Sequence, residues 1–343
     1  MDRKPTAIDL FSGCGGVTTG LTQAGFDVLG AVEIDRKAIA TYRLNHPAIK
    51  IYSEDIRLLS PDQIMAELKL QRGDLDLLAG CPPCQSFSRL SKKNKTRAVI
   101  DPRNSLIEEF LRFAISFYPK KIMMENVPGL ATHYRFKAML SELKKHGYRV
   151  FWKVLDVQDY GVPQRRKRLI VSASRCSDPA IADINASKVS VRQAISGLPN
   201  PGSSGDTLHD LGERRSPKVL EIIKNIPLDG GSRKDLPCHL KLGCHQRSSG
   251  FSDVYGRMSW DKPAPTITSG CHNPSKGRFL HPSEDRTITL REAAVLQGFP
   301  ADYKFDVSHG KESIALMIGN ALPPPFIMMH ALCMKESLVW SAS

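Results

Sequence analysis

The fold is constrained most by a regular alternation of strand and helix patterns in the first half of the chain. Apolar strand patterns occupy seven segments: 6–11, 28–34, 49–52, 75–79, 121–125, 149–155 and 168–173. Helical patterns lie between the first six of them: up to 25, and at 36–45, 61–70, 104–117 and 134–146. Strands joined through helices run parallel, so the pattern predicts a Rossmann-like α/β fold, a mostly parallel twisted sheet with helices on both faces.

The pattern changes in the second half. Residues 197–282 are rich in Gly, Pro, Ser and charged residues, with short apolar runs and one predicted helix at 216–225. Helical patterns return at 290–297 and at 323–338, where the initial prolines suit the start of a helix. These features predict a smaller second domain of loops and short strands.

The charge balance favours a polyanionic partner. The chain has 48 Lys and Arg against 35 Asp and Glu, a formal net charge of +13. Basic residues cluster at 89–103 and in the run QRRKR at 164–168. Such clusters neutralise phosphates and release counterions, so nucleic acid is the expected partner, although charge alone leaves a basic enzyme without such a partner open.

Cysteine usage and hydropathy indicate the compartment. The eight cysteines are irregularly spaced in a chain of 343 residues, which argues against a secreted disulfide framework. No N-terminal apolar region precedes the first strand, and no stretch approaches eighteen apolar residues. We therefore expect an intracellular protein in a reducing compartment.

A glycine-rich turn, DLFSGCGG at 9–16, follows the first predicted strand and precedes a helix. Glycines let a ligand approach the backbone, and Glu33 at the end of the second strand is placed to take the ribose hydroxyls of a nucleoside. Asp55, after the third strand, could reach the base. A dinucleotide dehydrogenase would need glycine where Thr18 stands, so a nucleoside without a pyrophosphate, such as S-adenosylmethionine, fits better. A turn needed only for packing stays open.

The loop GCPPCQSFS at 80–88 follows the fourth predicted strand, where chemistry is expected in open α/β sheets. Cys84 could act as a nucleophile if its thiolate were favoured, with Glu125 at the end of the next strand as its acid partner. The pair Cys81 and Cys84 could instead be a redox pair or half of a zinc site. The zinc alternative lacks a second pair at similar spacing.

Six motifs together resemble the cytosine-C5 DNA methyltransferases. They occur in that family's order over nearly the whole chain: DLFSGCGG, PPCQSFS, ENVPGL, QRRKR, LREAAVLQGFP and IGNALPPP. The resemblance implies that Cys84 attacks C6 of a cytosine and that Glu125 hydrogen-bonds N3. C5 then takes the methyl group of S-adenosylmethionine, and no metal is implied.

The resemblance also assigns residues around this pair. Arg166 and Arg168 match two family arginines, of which one would orient Glu125 and the other would contact the cytosine O2. Arg165 and Lys167 would bind phosphates, and Asn126 would shape the turn of the acid. The positions that match cofactor contacts are Phe11, Gly13, Gly15, Glu33, Ile34, Asp55, Ile56, Leu106, Asn320 and Ala321.

A duplex cytosine reaches such a pocket only after base flipping. The resemblance implies a catalytic and cofactor-binding domain at 1–184, a target-recognition domain at 185–290 and a return segment at 291–343. The loop 88–103 would close over the flipped base. The predicted DNA contacts are Gln85, Ser88, Arg89, Lys92, Lys93, Lys95, Arg97, Arg165, Arg247 and Arg257, and further candidate base readers are Arg233, Lys234, His245 and Gln246.

The chain resembles the compact bacterial or phage members of this family. We expect a monomer that binds duplex DNA and is located in the cytoplasm, associated with the nucleoid. A cognate restriction endonuclease would accompany it without forming a stable complex, and no membrane is implied. Two alternatives remain: a tRNA methyltransferase of the same fold, disfavoured by the lack of a CFT-type tripeptide, and a non-catalytic DNA-binding relative, disfavoured by Cys84, Glu125 and Arg168. Cys81 stands where many relatives carry an aromatic residue or glycine, which makes it a candidate for oxidation.

Overall fold

A computed structural model describes residues 3–83, 105–184, 186–243 and 253–338. By internal packing the chain divides into two units. Unit 1 comprises Met1–Tyr160, Lys167–Asn185 and Leu322–Ser343, and unit 2 comprises Gly161–Arg166 and Ala186–Ala321. The packing boundary at 185/186 coincides with the predicted start of the target-recognition domain, and the chain re-enters unit 1 at Leu322, later than the predicted 291. The functional domain assignments stay predictions.

Unit 1 is built on one sheet. Its strands are β1 Thr6–Leu10, β2 Asp27–Val32, β3 Lys50–Tyr52, β4 Leu77–Gly80, β5 Lys121–Asn126, β6 Arg149–Asp156 and β7 Lys167–Ser174. Their order is β3-β2-β1-β4-β5-β7-β6. The first five strands pair in parallel, whereas β7 runs antiparallel to both β5 and β6. The predicted mostly parallel sheet is confirmed.

The helices follow the predicted alternation. They are α1 Gly16–Gln23, α2 Arg36–Asn45, α3 Pro61–Glu67, α4 Leu106–Phe117, α5 Tyr134–Lys145, α6 Val191–Ile195, α7 Pro217–Lys224, α8 Leu290–Leu296, α9 Gly310–Asn320 and α10 Pro324–Glu336. The short α6 and the α9 helix were not predicted. In unit 1, α1 packs closely on α10 at Gly20. A Cβ added at Gly20 would lie only 2.6 Å from the Pro324 carbonyl oxygen, so no larger residue would fit there without a shift of the backbone.

The central strands of unit 1 are buried on both faces. Every residue of β4 and β5 is buried, and apolar side chains of α4, such as Phe110 and Phe113, complete the core. Strands covered on both faces carry near-continuous apolar sequence, which explains why they were recognisable from sequence. A polar residue at the end of such a strand is therefore held in a fixed position at the edge of the core.

Unit 2 has a smaller core around α7, which includes Ile222, Ile223 and Leu280. In its described part, the extended segments that were expected to be short strands form isolated bridges, such as Arg257 with Leu280.

Among the described residues, the stretch Val307–Glu336 is long and apolar enough to cross a membrane, but 67% of its most apolar part is buried within the protein, as in a core helix.

Candidate active site

The turn after β1 contains three residues with left-handed backbone conformations. Gly13 and Gly15 have φ of 55° and 99°, and Phe11 adopts φ of 62°, which is uncommon for a residue with a side chain. The carboxylate of Glu33, just after β2, accepts hydrogen bonds from the backbone N–H groups of Gly13 (2.8 Å), Ile34 (2.9 Å) and Asp35 (2.8 Å). One side chain thus ties the end of β2 to the glycine turn.

The surroundings of this turn fit a nucleoside ligand. A Cβ added at Gly13 would meet nothing within 4 Å, so the space beside its backbone is open. Ile34, two residues after the end of β2, is 59% exposed and offers an apolar surface for a base. Burial raises the pKa of Glu33 above its ordinary value, although its backbone hydrogen bonds oppose the shift.

The other predicted cofactor residues lie at several places in the two units. Asp55 follows β3 and pairs with Arg57, whose hydrogen bonds lower the pKa of its carboxyl. Ile56 is buried, and the half-buried Leu106 begins α4. Asn320 is exposed at the end of α9 in unit 2, where the carbonyl of Ala321 accepts a hydrogen bond from Gln297.

A buried carboxyl under the glycine turn was not among the predicted site residues. Asp9 is 0% exposed, and its Oδ2 accepts a hydrogen bond from Thr18 Oγ1 at 2.7 Å. Thr18 Oγ1 lies in turn 3.0 Å from the Tyr42 hydroxyl. Burial raises the pKa of Asp9 to about 7. The signal in the sequence was an acid inside the apolar run TAIDLF.

The predicted acid lies at the end of β5. Glu125 is 8% exposed, and Arg168 Nε on β7 lies 2.6 Å from its Oε1. The two strands are antiparallel neighbours, so residues 43 positions apart in sequence meet at one edge of the sheet. A charged pair held at a sheet edge places the carboxyl in one orientation.

The loop that leads to Cys84 is bound next to this acid. Asn126 Nδ2 donates to the Pro82 carbonyl at 2.9 Å, while its Oδ1 accepts from the backbone N–H of Val127 at 2.8 Å. The Cys81 N–H donates to the Leu10 carbonyl at 3.3 Å. Several predicted residues lie outside the described residues: Cys84, Gln85, Ser88, Arg89, Lys92, Lys93, Lys95, Arg97, His245, Gln246 and Arg247.

Cys81 is not placed as a reactive thiol. Burial raises the pKa of Cys81 well above its ordinary value, and the negative charges of Glu125 and Asp9 raise it further. Since the thiolate is the reactive form, the raised pKa argues against nucleophilic attack by Cys81 and against its oxidation. Cys81 is only half-buried, so the expectation that it is prone to oxidation stays a prediction.

The run QRRKR alternates between exposed and covered side chains. Arg165 and Lys167 are exposed, as expected for residues that contact phosphates. Arg166 is 5% exposed and donates from Nη1 to the Ile267 carbonyl (2.8 Å) and from Nη2 to the Gly319 carbonyl (2.9 Å). Arg168 makes the ion pair with Glu125. Arg166 thus binds two backbone carbonyls within unit 2, and its catalytic role stays a prediction.

Arg257 was predicted to contact DNA, and the structure corrects this. Its side chain is 0% exposed, and its guanidinium donates to the carbonyls of Ile226 (3.0 Å), His281 (3.0 Å) and Ile223 (2.9 Å). It also pairs with Asp285 at 2.5 Å. A guanidinium so fully bonded inside unit 2 has no face left for a base or a phosphate. The likewise predicted Arg233 is 8% exposed, whereas Lys234 is exposed.

Comparisons with known proteins agree with this arrangement. The family model of the C-5 cytosine-specific DNA methylases matches residues 6–335. The chain is 35% identical to the Type II methylase M.HgiDII of Herpetosiphon aurantiacus over 96% of this chain and 95% of that protein. It is 34% identical to the Type II methyltransferase M1.HphI of Haemophilus parahaemolyticus over 93% of this chain and 83% of that protein.

A solved structure shares the fold. It is described as a DNA modification methyltransferase encoded within an Escherichia coli prophage, and it superimposes with a TM-score of 0.66 at 25% sequence identity. The match covers 97% of this chain and 99% of the other. The two proteins thus share the fold over nearly their whole lengths.

Proposed function

The chain belongs to the C-5 cytosine-specific DNA methylases, and from this premise we propose that it methylates C5 of a flipped-out cytosine within a specific duplex DNA sequence. The proposal includes a covalent bond between Cys84 and C6 of the cytosine. The observation that supports it most is the placement of Glu125. Arg168 holds its carboxyl, and its neighbour Asn126 binds the Pro82 carbonyl, two residues before Cys84.

The chemistry explains why a thiol and an acid are needed together. C5 of cytosine is a poor nucleophile until the Cys84 thiolate adds to C6, which forms the S–C6 bond and turns C5 into an enamine carbon. Glu125 donates the proton that N3 takes up during this addition. When bound, S-adenosylmethionine supplies the methyl group to C5. Water then takes the C5 proton, the C5–C6 double bond re-forms as the S–C6 bond breaks, and N3 returns its proton to Glu125, so the Cys84 thiolate is released.

Arg168 and Asn126 would act by positioning. Arg168 would keep the Glu125 carboxyl oriented towards N3. It is also a candidate for the contact with O2 of the cytosine. Asn126 would keep the loop before Cys84 at a constant distance from Glu125. Small displacements of reacting groups lower rates strongly, so rigid placement of both partners is a catalytic contribution in itself.

Use of S-adenosylmethionine follows from the family, and we propose the residues that bind it. Glu33 would accept hydrogen bonds from the ribose hydroxyls, since each carboxylate oxygen can accept more than one hydrogen bond. Ile34 would pack on the base, and Asp55 would bind its edge. Phe11, Gly13, Gly15, Ile56, Leu106, Asn320 and Ala321 would complete the contacts.

Duplex DNA is the proposed partner. Arg165 and Lys167 are exposed and would bind backbone phosphates, together with the basic residues of 85–103. Flipping the target base costs a few kcal/mol of stacking and pairing. The names of the Type II relatives suggest a cognate endonuclease that acts separately, and we propose a monomer that works on DNA in the cytoplasm.

Duplexes that carry 5-fluorocytosine test the proposal. Fluorine cannot leave C5 as a proton does, so the enzyme with S-adenosylmethionine should stay bound to the DNA through Cys84, which mass spectrometry of the digested complex would locate. Cys84→Ser should form no adduct, whereas the control Cys176→Ser should form it normally. A folded wild-type protein that forms no adduct on a sequence-diverse duplex pool would overturn the mechanism. Faster methylation of tRNA than of duplex DNA would favour the RNA alternative.

A further inference from the structure

An arginine of unit 1 that the proposed mechanism does not use joins two segments that carry predicted cofactor contacts. Arg112 lies on α4, the helix that begins at Leu106, and its side chain reaches the turn 55–60 between β3 and α3. This turn carries Asp55 and Ile56. All of these residues belong to unit 1. The hydrogen bonds of Arg112 therefore decide how the two segments are held together.

The guanidinium of Arg112 makes three hydrogen bonds in different directions. Nη2 donates to the Ile56 carbonyl at 2.7 Å, and Nη1 donates to the Leu59 carbonyl at 3.1 Å. Nε donates to the carboxylate of Glu109 at 2.7 Å. Since Glu109 lies three residues earlier on the same helix, it holds the guanidinium from α4, while the other two bonds hold the turn. The rigid planar fork of arginine keeps these directions fixed.

The turn is closed by its own hydrogen bonds. The Leu58 N–H donates to the Asp55 carbonyl at 2.8 Å, and the Leu59 N–H donates to the Ile56 carbonyl at 3.3 Å. Arg57 binds the Asp55 carboxylate through its backbone N–H at 3.0 Å and through its guanidinium. These bonds connect residues at most three positions apart, so they fix the shape of the turn and not its position relative to α4.

Packing of Ile56 brings the turn to α4 but does not orient it. Its side chain is 4% exposed and belongs to the same core as Ile107 and Phe110 of α4. Apolar contact is non-directional and permits small rotations of the turn, whereas hydrogen bonds to two carbonyls set a direction. The side chain of Arg112 is 36% exposed, so its contribution is the hydrogen bonds and not the filling of the core.

We propose that Arg112 is a positioning residue for the cofactor: it holds the turn 55–60 against α4, so that Asp55, Ile56 and Leu106 form one preformed surface for S-adenosylmethionine. This role rests on the proposed function, which assigns those three residues to the cofactor. A preformed site loses less conformational freedom on binding than a site that the ligand must order. Arg112 therefore raises cofactor affinity without contact with the cofactor.

Calorimetric titration of the full-length protein with S-adenosylhomocysteine tests this role. Arg112→Met keeps an unbranched apolar stem and removes all three donors. It should raise the dissociation constant about tenfold, the factor that corresponds to ordering about one backbone residue on binding. Arg112→Lys can still donate to one carbonyl and should lie between Arg112→Met and the wild type. Unchanged binding in a folded Arg112→Met would overturn the role.

The matched control is Arg175→Met. Arg175 also belongs to unit 1, and its guanidinium donates to the carbonyls of Gly73 (2.8 Å), Tyr118 (3.1 Å) and Pro119 (3.2 Å). It follows the end of β7 that pairs with the start of β5, away from the carboxyl ends of the parallel strands. The melting temperature of Arg175→Met should fall, but its affinity for S-adenosylhomocysteine should not change. An equal loss of affinity in both variants would show a general destabilisation of unit 1 and overturn the role of Arg112.

Steady-state kinetics give a second readout. The KM for S-adenosylmethionine should rise in Arg112→Met together with the dissociation constant, because the turn must be ordered on binding. The kcat at saturating cofactor should stay within about twofold of the wild type, because the bound cofactor then holds the turn itself. A fall in kcat as large as the rise in KM would contradict a role limited to cofactor binding.

Asp55→Ala separates a failure of this role from a failure of the proposed function. It should weaken binding of S-adenosylhomocysteine, and in its background Arg112→Met should weaken binding less than in the wild type, because part of the effect passes through Asp55. Strictly additive losses would overturn the action through the turn and leave the proposed cofactor residues intact. Unchanged binding in both single variants would overturn the assignment of the turn to the cofactor as well.

Discussion

Arg168 Nε lies 2.6 Å from Glu125 Oε1, and this pair joins the start of β7 to the end of β5. It is the contact that orients the proposed acid. Arg168→Lys should lower the methylation rate by about 10²-fold, because the terminal ammonium of lysine cannot take the position of the Arg168 Nε beside the carboxyl. The dissociation constant of S-adenosylmethionine should not change.

The control for that variant is Arg149→Lys, on the exposed strand β6, where the arginine pairs with Asp178. Rates from incorporation of a labelled methyl group and cofactor affinity from calorimetry separate the two effects. Equal losses of rate and cofactor affinity in Arg168→Lys would indicate a general disturbance of the sheet and contradict the orienting role.

Glu33→Gln should weaken binding of S-adenosylmethionine, since an amide provides one acceptor oxygen where the carboxylate provides two for the backbone N–H groups and the ribose. In the wild type, burial raises the pKa of Glu33 above its ordinary value. On acidification, Glu33 is therefore protonated at a higher pH than an ordinary glutamate. Cofactor affinity measured over a pH series should therefore decline on acidification, and the decline should vanish in Glu33→Gln. The exposed Glu54→Gln should behave as the wild type.

Asn126→Asp should slow formation of the Cys84 adduct by about tenfold or more, because it replaces a donor to the Pro82 carbonyl with a second acceptor. Trapping on 5-fluorocytosine DNA, followed over time, measures this rate. Asn225→Asp is a matched control, because Asn225 Nδ2 also donates to a backbone carbonyl, that of Glu221, on the exposed side of α7. Comparable slowing in both variants would exclude a specific role for Asn126.

Asp9→Asn should change how stability depends on pH. Burial raises the pKa of Asp9 from 3.8 to about 7, so between these values the folded state holds a proton that the unfolded state has lost, and stability falls as pH rises. Between pH 5.5 and 8 the wild type should lose about 2 kcal/mol more unfolding free energy than Asp9→Asn. Urea unfolding of both proteins at the two pH values measures the difference. Parallel pH profiles would show that Asp9 is ionised throughout.

Cys81→Ser should retain methylation within about twofold of the wild type, because the raised pKa of Cys81 keeps its thiol protonated and unreactive. Alkylation at neutral pH followed by mass spectrometry should modify Cys84 and leave Cys81 unmodified in the folded protein. Rapid alkylation of Cys81, or a disulfide between the two cysteines, would restore the redox alternative.

The sequence allowed prediction of the architecture because its signals are local. Strands buried on both faces have apolar runs, helices between them have periodic patterns, and the bounds of β5 and α5 were predicted within one or two residues. The short α6 was missed because five residues carry too little periodicity, and its capping box at Ser190 is the signal that could have revealed it.

The sequence by itself determined the family, the fold class and the identity of the proposed nucleophile and acid, because these depend on motifs and on their order. Only the tertiary structure decided which arginine of QRRKR meets Glu125, that Arg257 is an internal residue, and that the pKa of the buried Asp9 is raised. The physical reason is that pairing and desolvation depend on the register of strands distant in sequence. The pairing of β5 with β7 brings Arg168 to Glu125, and no local pattern encodes it.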